Sequence, residues 1–367
     1  MEEIRTNGRI PQLDGMRLVA LFIIVLSHME FFDKNGIGKI YWNFFHNSTF
    51  GVDYFIILSG FGIFKKYKQY CFKNPVLDLN FGLQRIKKIY PYYLLSMIIV
   101  IPYYISNLCI SQILKKFGAF LLCSTMMQTL FGSMAISHLL NGVGWFLSVL
   151  FLFYIFTPLC IKCMSLFDTH KKILLSIFLT LSSIILLSYL FSVFELHMQQ
   201  RFPKEGFWND FVYGSPYIRI FYYLLGMEIA LLSENINIRI RNVKIQNIYG
   251  VLMTLVFISY FLLRNMIKIN ICELRIIDLI FDVIIFISLV YGNSFIVRAL
   301  SNQYLVLFSK KYGMIIYLFH YPIRLYVGKI NILGSYPILK MFIIILIMIF
   351  FIISYYLLEK YKGRKHG

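Results

Sequence analysis

Apolar runs about 20 residues long recur from one end of this chain to the other, and that is the length an α-helix needs to cross a bilayer's hydrocarbon core. They fall near residues 16–32, 50–66, 89–107, 143–161, 173–194, 216–233, 247–264, 276–296, 312–328 and 338–358. A soluble core cannot absorb ten of them. Only 14% of the 367 residues are charged, where soluble domains carry about 25%. The expected fold class is all-α: a polytopic integral-membrane helical bundle of about ten transmembrane helices, forming a single domain over residues 1–367. No linker rich in Pro, Ser or Gly tethers a soluble extracytoplasmic domain. No small-residue cleavage site follows the first run, which reads as a retained signal anchor.

Charge sets the orientation. A net charge of +19 would suit nucleic acid, but the basic residues lie between apolar runs, where the positive-inside rule expects them, so nucleic acid is rejected as a partner. Segment 65–88 carries Lys65, Lys66, Lys68, Lys73, Arg85, Lys87 and Lys88 against Asp78, and segment 162–172 carries Lys162, Lys171 and Lys172 against Asp168. Both read as cytoplasmic, so an even number of crossings joins them, and runs 89–107 and 143–161 supply two. The further apolar stretch 117–136 should therefore be re-entrant or interfacial, which is tolerated where it is buried in protein or lines a cavity. Arg239, Arg241 and Lys244, then Arg298, Lys310 and Lys311, then the basic tail continue the alternation and put both termini in the cytoplasm. The loop with Arg264, Lys268 and Arg275 is the exception. The six cysteines are scattered, and Cys160 and Cys163 lack a second pair, so neither a disulfide framework nor a metal site is expected.

The stretch RIPQLDGMRLVALFIIVLSH, residues 9–28, puts ionisable groups into the first span. Asp14 and Arg17 stand at its cytoplasmic start, and His28 lies 11 positions beyond Arg17. Eleven residues bring a helix back to within about 20° of the same face and about 16 Å along its axis. Either residue alone has a plain account, a snorkelling anchor or a bond to a neighbouring helix; the shared face favours function. In GVDYFIILSGF, residues 51–61, Asp53 should lie at the depth of His28 on the next antiparallel helix. There it would hold the imidazole in one tautomer for base catalysis, or cap its own helix. Ser59 and Gly60 allow close helix approach or leave a gap for a ligand. Arg85 and Lys88, in QRIKKIYPYY, are three apart and suit a phosphate or ordinary cytoplasmic charge. Trp145 fits an outer aromatic belt. His320, midway along 312–328, is either a structural group or a second pocket residue.

Taken together and in this order, LDGMRLVALFIIVLSH, GVDYFIILSGF, QRIKKIYP, FYYLLGMEIA (residues 221–230) and IIYLFHYPI (residues 315–323) resemble the motifs of the acyltransferase 3 family. Members of that family are integral-membrane enzymes that O-acetylate sugars of cell-envelope glycans. The resemblance implies an O-acetyltransferase of the bacterial cytoplasmic membrane. It would use cytoplasmic acetyl-CoA as acyl donor, with no further cofactor, and a glycan or lipid-linked sugar as acceptor. It also implies donor binding by Arg17, Arg85, Lys88 and Asp14, catalysis by His28 with Asp53, and a pocket lined by Ser59, Trp145 and His320. His28 would serve as general base or acetyl carrier. Lys88 departs from the family's usual arginine, and Leu150 and Phe151 replace the acidic residues many members carry after the fourth-span Trp-x-x-Ser. A transporter or flippase for a lipid-linked glycan is the alternative, sharing the intramembrane polar groups without a thioester donor. A glycosyltransferase would want a second carboxylate beside Asp33.

Overall fold

The computed structural model describes residues 10–32, 36–45, 49–105, 110–132, 134–201, 211–235, 242–264, 271–330 and 336–365. Asp33, Cys109, Arg239, Arg241 and Lys268, used in the sequence argument, lie outside them. Every regular element among the described residues is helical. In chain order they are α1 (Pro11–Ser27), α2 (Ile37–Phe44), α3 (Thr49–Tyr67), α4 (Leu79–Ile86), α5 (Tyr90–Ile105), α6 (Ile110–Ser124), α7 (Met134–Ser137), α8 (Trp145–Ile155) and α9 (Thr157–Met164). There follow α10 (His170–Arg201), α11 (Phe211–Gly214), α12 (Pro216–Asn235), α13 (Val243–Arg264), α14 (Ile271–Tyr291), α15 (Phe295–Leu300), α16 (Gln303–Gly328) and α17 (Pro337–Lys365).

Two helices, α10 and α17, are each long and apolar enough to cross a membrane; α8 and α9, bent by 58° at their junction, make a third if the pair is one span. The bend falls where Pro158 enters the first turn of α9, because proline has no N–H for the carbonyl four residues back. The other expected spans do not stand out in this way. Helices α1 and α5 have 17 and 16 residues, and α3, α12 and α14 carry the inward-turned charges Asp53, Arg219, Glu228, Asp278 and Asp282, all buried. On α10 and α17, Phe178, Leu186, Phe342 and Phe350 are exposed. Such faces are tolerated where lipid covers them.

Helix α1 packs on α3 and α16, and α3 packs most extensively on α12. The reason is local. A Cβ on Gly60 would collide with the carbonyl of Tyr223, and one on Gly226 with the carbonyl of Ile57, so two glycines let the backbones touch. The gap the sequence offered to a ligand at Ser59 and Gly60 is filled by α12, and Ser59 Oγ donates to its own helix at Phe55 O, 2.8 Å.

Stretch 117–136 is not one element. Helix α6 ends at Ser124, Met126 takes φ +57°, a single 3-10 turn spans Gln128–Phe131, and α7 follows. Its freed backbone is met inside the protein: Tyr93 donates to Cys123 O (2.8 Å), Tyr90 to Ser124 O (2.7 Å) and Ser148 to Met126 O (2.7 Å). Further on, Pro322 removes one rung from α16. The Leu318 carbonyl it frees accepts from Asn141 Nδ2 at 3.0 Å, and the same amide reaches Ser96 Oγ at 2.8 Å. Irregular backbone at depth is stable only with partners of this kind.

Candidate active site

Helix α1 ends one residue before His28, which caps it at φ −90° and ψ 0°. The imidazole therefore turns away from the helix axis and into the bundle. Its ring centroid lies 5.2 Å from that of His320, edge-on, and 5.7 Å from Tyr321. So the structure brings together the two histidines singled out in the sequence, nearly 300 residues apart. In both rings Nδ1 faces the backbone carbonyl four residues upstream: His28 to Ile24 O at 2.7 Å, and His320 to Ile316 O at 3.2 Å. A carbonyl only accepts, so Nδ1 carries the proton and Nε2 keeps its lone pair. His320 is fully buried, and its Nε2 has no partner among the described residues.

This corrects the expected partnership of His28 with Asp53. Asp53 is an ion-pair partner of Arg219 on α12, and both are buried. Arg219 also donates through Nε to Tyr213 O at 2.9 Å and stacks on Tyr213 and Tyr222 at 4.9 and 5.0 Å. Asp282 of α14 faces the same pair. The close α3–α12 packing turns Asp53 toward α12, and a carboxylate at this depth needs a cation. The tautomer assigned to Asp53 in the sequence is held instead by a peptide carbonyl. Trp145 also departs from expectation. It is buried rather than belted at the surface, with its ring 5.2 Å from Tyr213 and 6.3 Å from His138. His138, absent from the sequence reading, belongs to the electrostatic surroundings of His28. Its one signal was position, two residues beyond the stretch 117–136.

Three turns back along α1 from His28, Arg17 sits over Phe55 at 5.8 Å. From there rings adjoin one another toward the histidines: Phe55 lies 5.9 Å from Phe146 and 6.5 Å from Tyr317, and Tyr317 lies 6.0 Å from His320. A column of adjoining rings thus runs from the Arg17 guanidinium to the His320 imidazole. Arg85 comes to the cationic end because Asp78 caps α4 and its N–H bonds Ile155 O at 2.8 Å, laying α4 against α8. Its guanidinium lies between Tyr67 and Tyr154, at 5.4 and 5.5 Å. Tyr154 also belongs to the surroundings of Arg17. Lys88 does not join it. Helix α4 stops at Ile86, the chain turns through 87–89, and Lys88 is exposed, so the shared helical face assumed for the pair is broken. Asp14 pairs with Lys310 of α16 at 2.9 Å.

A cavity of about 190 Å³ between α1, α13, α14 and α15 is lined by Met16, Val19, Phe257, Ile285 and Leu289 among others. It holds none of the residues above, and its polar groups are the hydroxyls of Tyr249, Thr254, Ser288 and Ser294.

A family model described as an acyltransferase domain, acyltransferase 3, matches residues 10–358. No curated protein and no solved structure matches the chain.

Proposed function

Because the chain belongs to the acyltransferase 3 family over nearly its whole length, we propose that it is a membrane O-acetyltransferase. It moves an acetyl group from cytoplasmic acetyl-CoA to a hydroxyl of an envelope or exported sugar. Ten helices span the bacterial cytoplasmic membrane, with both termini inside. In this reading α1 enters from the cytoplasm, so Arg17 and Arg85 face the donor and His28 and His320 lie toward the acceptor. The observation that carries the proposal is the column of rings from Arg17 to His320. A pantetheine arm is long and thin, with methylene and gem-dimethyl segments between its two amides, and would run along these rings, while guanidinium groups suit the nucleotide phosphates.

His28 Nε2 takes the proton of the acceptor hydroxyl as its oxygen attacks the thioester carbonyl. The tetrahedral intermediate collapses, the C–S bond breaks, and the thiolate recovers a proton from the imidazolium. The fixed Nδ1–H of each histidine keeps Nε2 available throughout. His320, beside His28, lines the pocket and is the second group able to shuttle that proton.

The test uses everted membrane vesicles carrying the protein, supplied with radiolabelled acetyl-CoA outside, which is the cytoplasmic face. Label appearing on glycan in the lumen supports the reading. Glycan delivered to the lumen without label, independent of acetyl-CoA, would instead establish a flippase.

A further inference from the structure

The positive-inside rule leaves the acceptor side of a membrane protein poor in lysine and arginine. In the topology proposed above, on which this inference rests, two acceptor-side segments besides the loop of Arg264, Lys268 and Arg275 break the pattern. Residues 106–117 contain Lys115 and Lys116, residues 329–340 contain Lys329 and Lys340, and neither segment holds an aspartate or glutamate. The structure gathers part of this charge around the histidine pair. Arg324, one turn beyond His320 on α16, pairs with Glu30, two residues beyond His28, at 2.8 Å. Its guanidinium lies 5.8 Å from the ring of Phe31, and Lys340 reaches the same ring at 5.3 Å from α17. Lys329 donates to Tyr103 O at 3.1 Å and covers that ring at 3.9 Å, and Lys116 lies over Tyr104 at 4.4 Å.

Lys340 is the telling residue. It is only 8% exposed, and among the described residues its ammonium meets an aromatic ring and no carboxylate. Burying an ammonium without an anion is costly, and a packing role would be better served by methionine. Arg324 is already matched by Glu30, so Lys340 and Lys329 are left in excess on the acceptor side. We infer that this cationic cluster binds an anionic group of the acceptor, a sugar carboxylate or sugar phosphate, and so selects acidic glycans over neutral ones.

The experiment measures binding to the intact protein in phosphatidylcholine nanodiscs without acetyl-CoA. The probes are a galacturonic acid trimer and a neutral galactose trimer. Wild type should bind the acidic trimer at least about 10-fold more tightly, the scale of one charged hydrogen bond. Lys340→Met should bring the ratio near one with unfolding temperature equal or higher, Lys340→Arg should keep it, and Lys329→Met should reduce it. Equal binding of both trimers by wild type, or a preference that survives Lys340→Met, overturns the inference. So does an acidic preference that vanishes in wild type when phosphatidylglycerol replaces phosphatidylcholine, since a lipid headgroup would then be the occupant. If Lys340→Met does not fold, Lys329→Met carries the same test. Because transfer is not the readout, these failures are distinct from absence of acetylation, which would overturn the reading beneath.

Discussion

Replacing Arg219 with methionine would leave Asp53 as a buried carboxylate without its cation. The structure sets the scale. Both side chains are at most 2% exposed, Arg219 holds the Tyr213 carbonyl as well, and its guanidinium stacks on two tyrosines. Removing one partner of such a pair costs about 3–5 kcal/mol, and 3 kcal/mol is roughly a 150-fold loss in the folded-to-unfolded ratio. Asp53→Asn removes the charge but keeps an acceptor, and should cost less. In the double variant Asp53→Asn with Arg219→Met, the orphaned charge is gone, so most of the loss should return and the coupling should be at least about 2 kcal/mol. The assay is reversible unfolding in mixed micelles of the wild type, both single variants and the double variant. Additive losses would refute the pairing argument. Normal stability in Asp53→Asn with transfer abolished would restore the catalytic role that the sequence suggested for Asp53.

Gly60→Ala should destabilise the fold by about 1–3 kcal/mol through forced separation of α3 and α12. Gly62→Ala, which faces open space, should be nearly neutral; thermal unfolding of the two variants checks this. Arg85→Ala should raise KM for acetyl-CoA about 10-fold, whereas Lys88→Ala, at an exposed position, should change it far less; donor titrations of the two variants separate them.

The sequence made the membrane class and the member histidines legible because both signals are local. An apolar run declares its length, and a histidine inside one has few reasons to be there. Charge parity, which needs no coordinates, set 117–136 apart from the plain spans, and the structure breaks that stretch into a helix end, a 3-10 turn and a short helix. Pairing was not. Asp53 and Arg219 are 166 positions apart, and nothing near either residue names the other. His28 and Asp53 looked like partners because they share a depth, yet depth fixes one coordinate and helix rotation fixes another. The close approach of Gly60 to Tyr223 and of Gly226 to Ile57 set that rotation and turned Asp53 toward α12. The carbonyls that fix both histidine tautomers come from each histidine's own helix, four residues upstream, and were open to view in the sequence. The shared face of Arg85 and Lys88 was lost for a simpler reason: the helix that carries Arg85 ends at Ile86, two residues before Lys88.

The most direct measurement is transfer of labelled acetyl from acetyl-CoA to luminal glycan by His28→Ala and His320→Ala, in vesicles matched for folded protein. Loss of a positioned proton acceptor should lower transfer by about 100- to 10,000-fold for His28→Ala, and by a smaller factor for His320→Ala. Wild-type rates in His28→Ala would contradict the account at its centre.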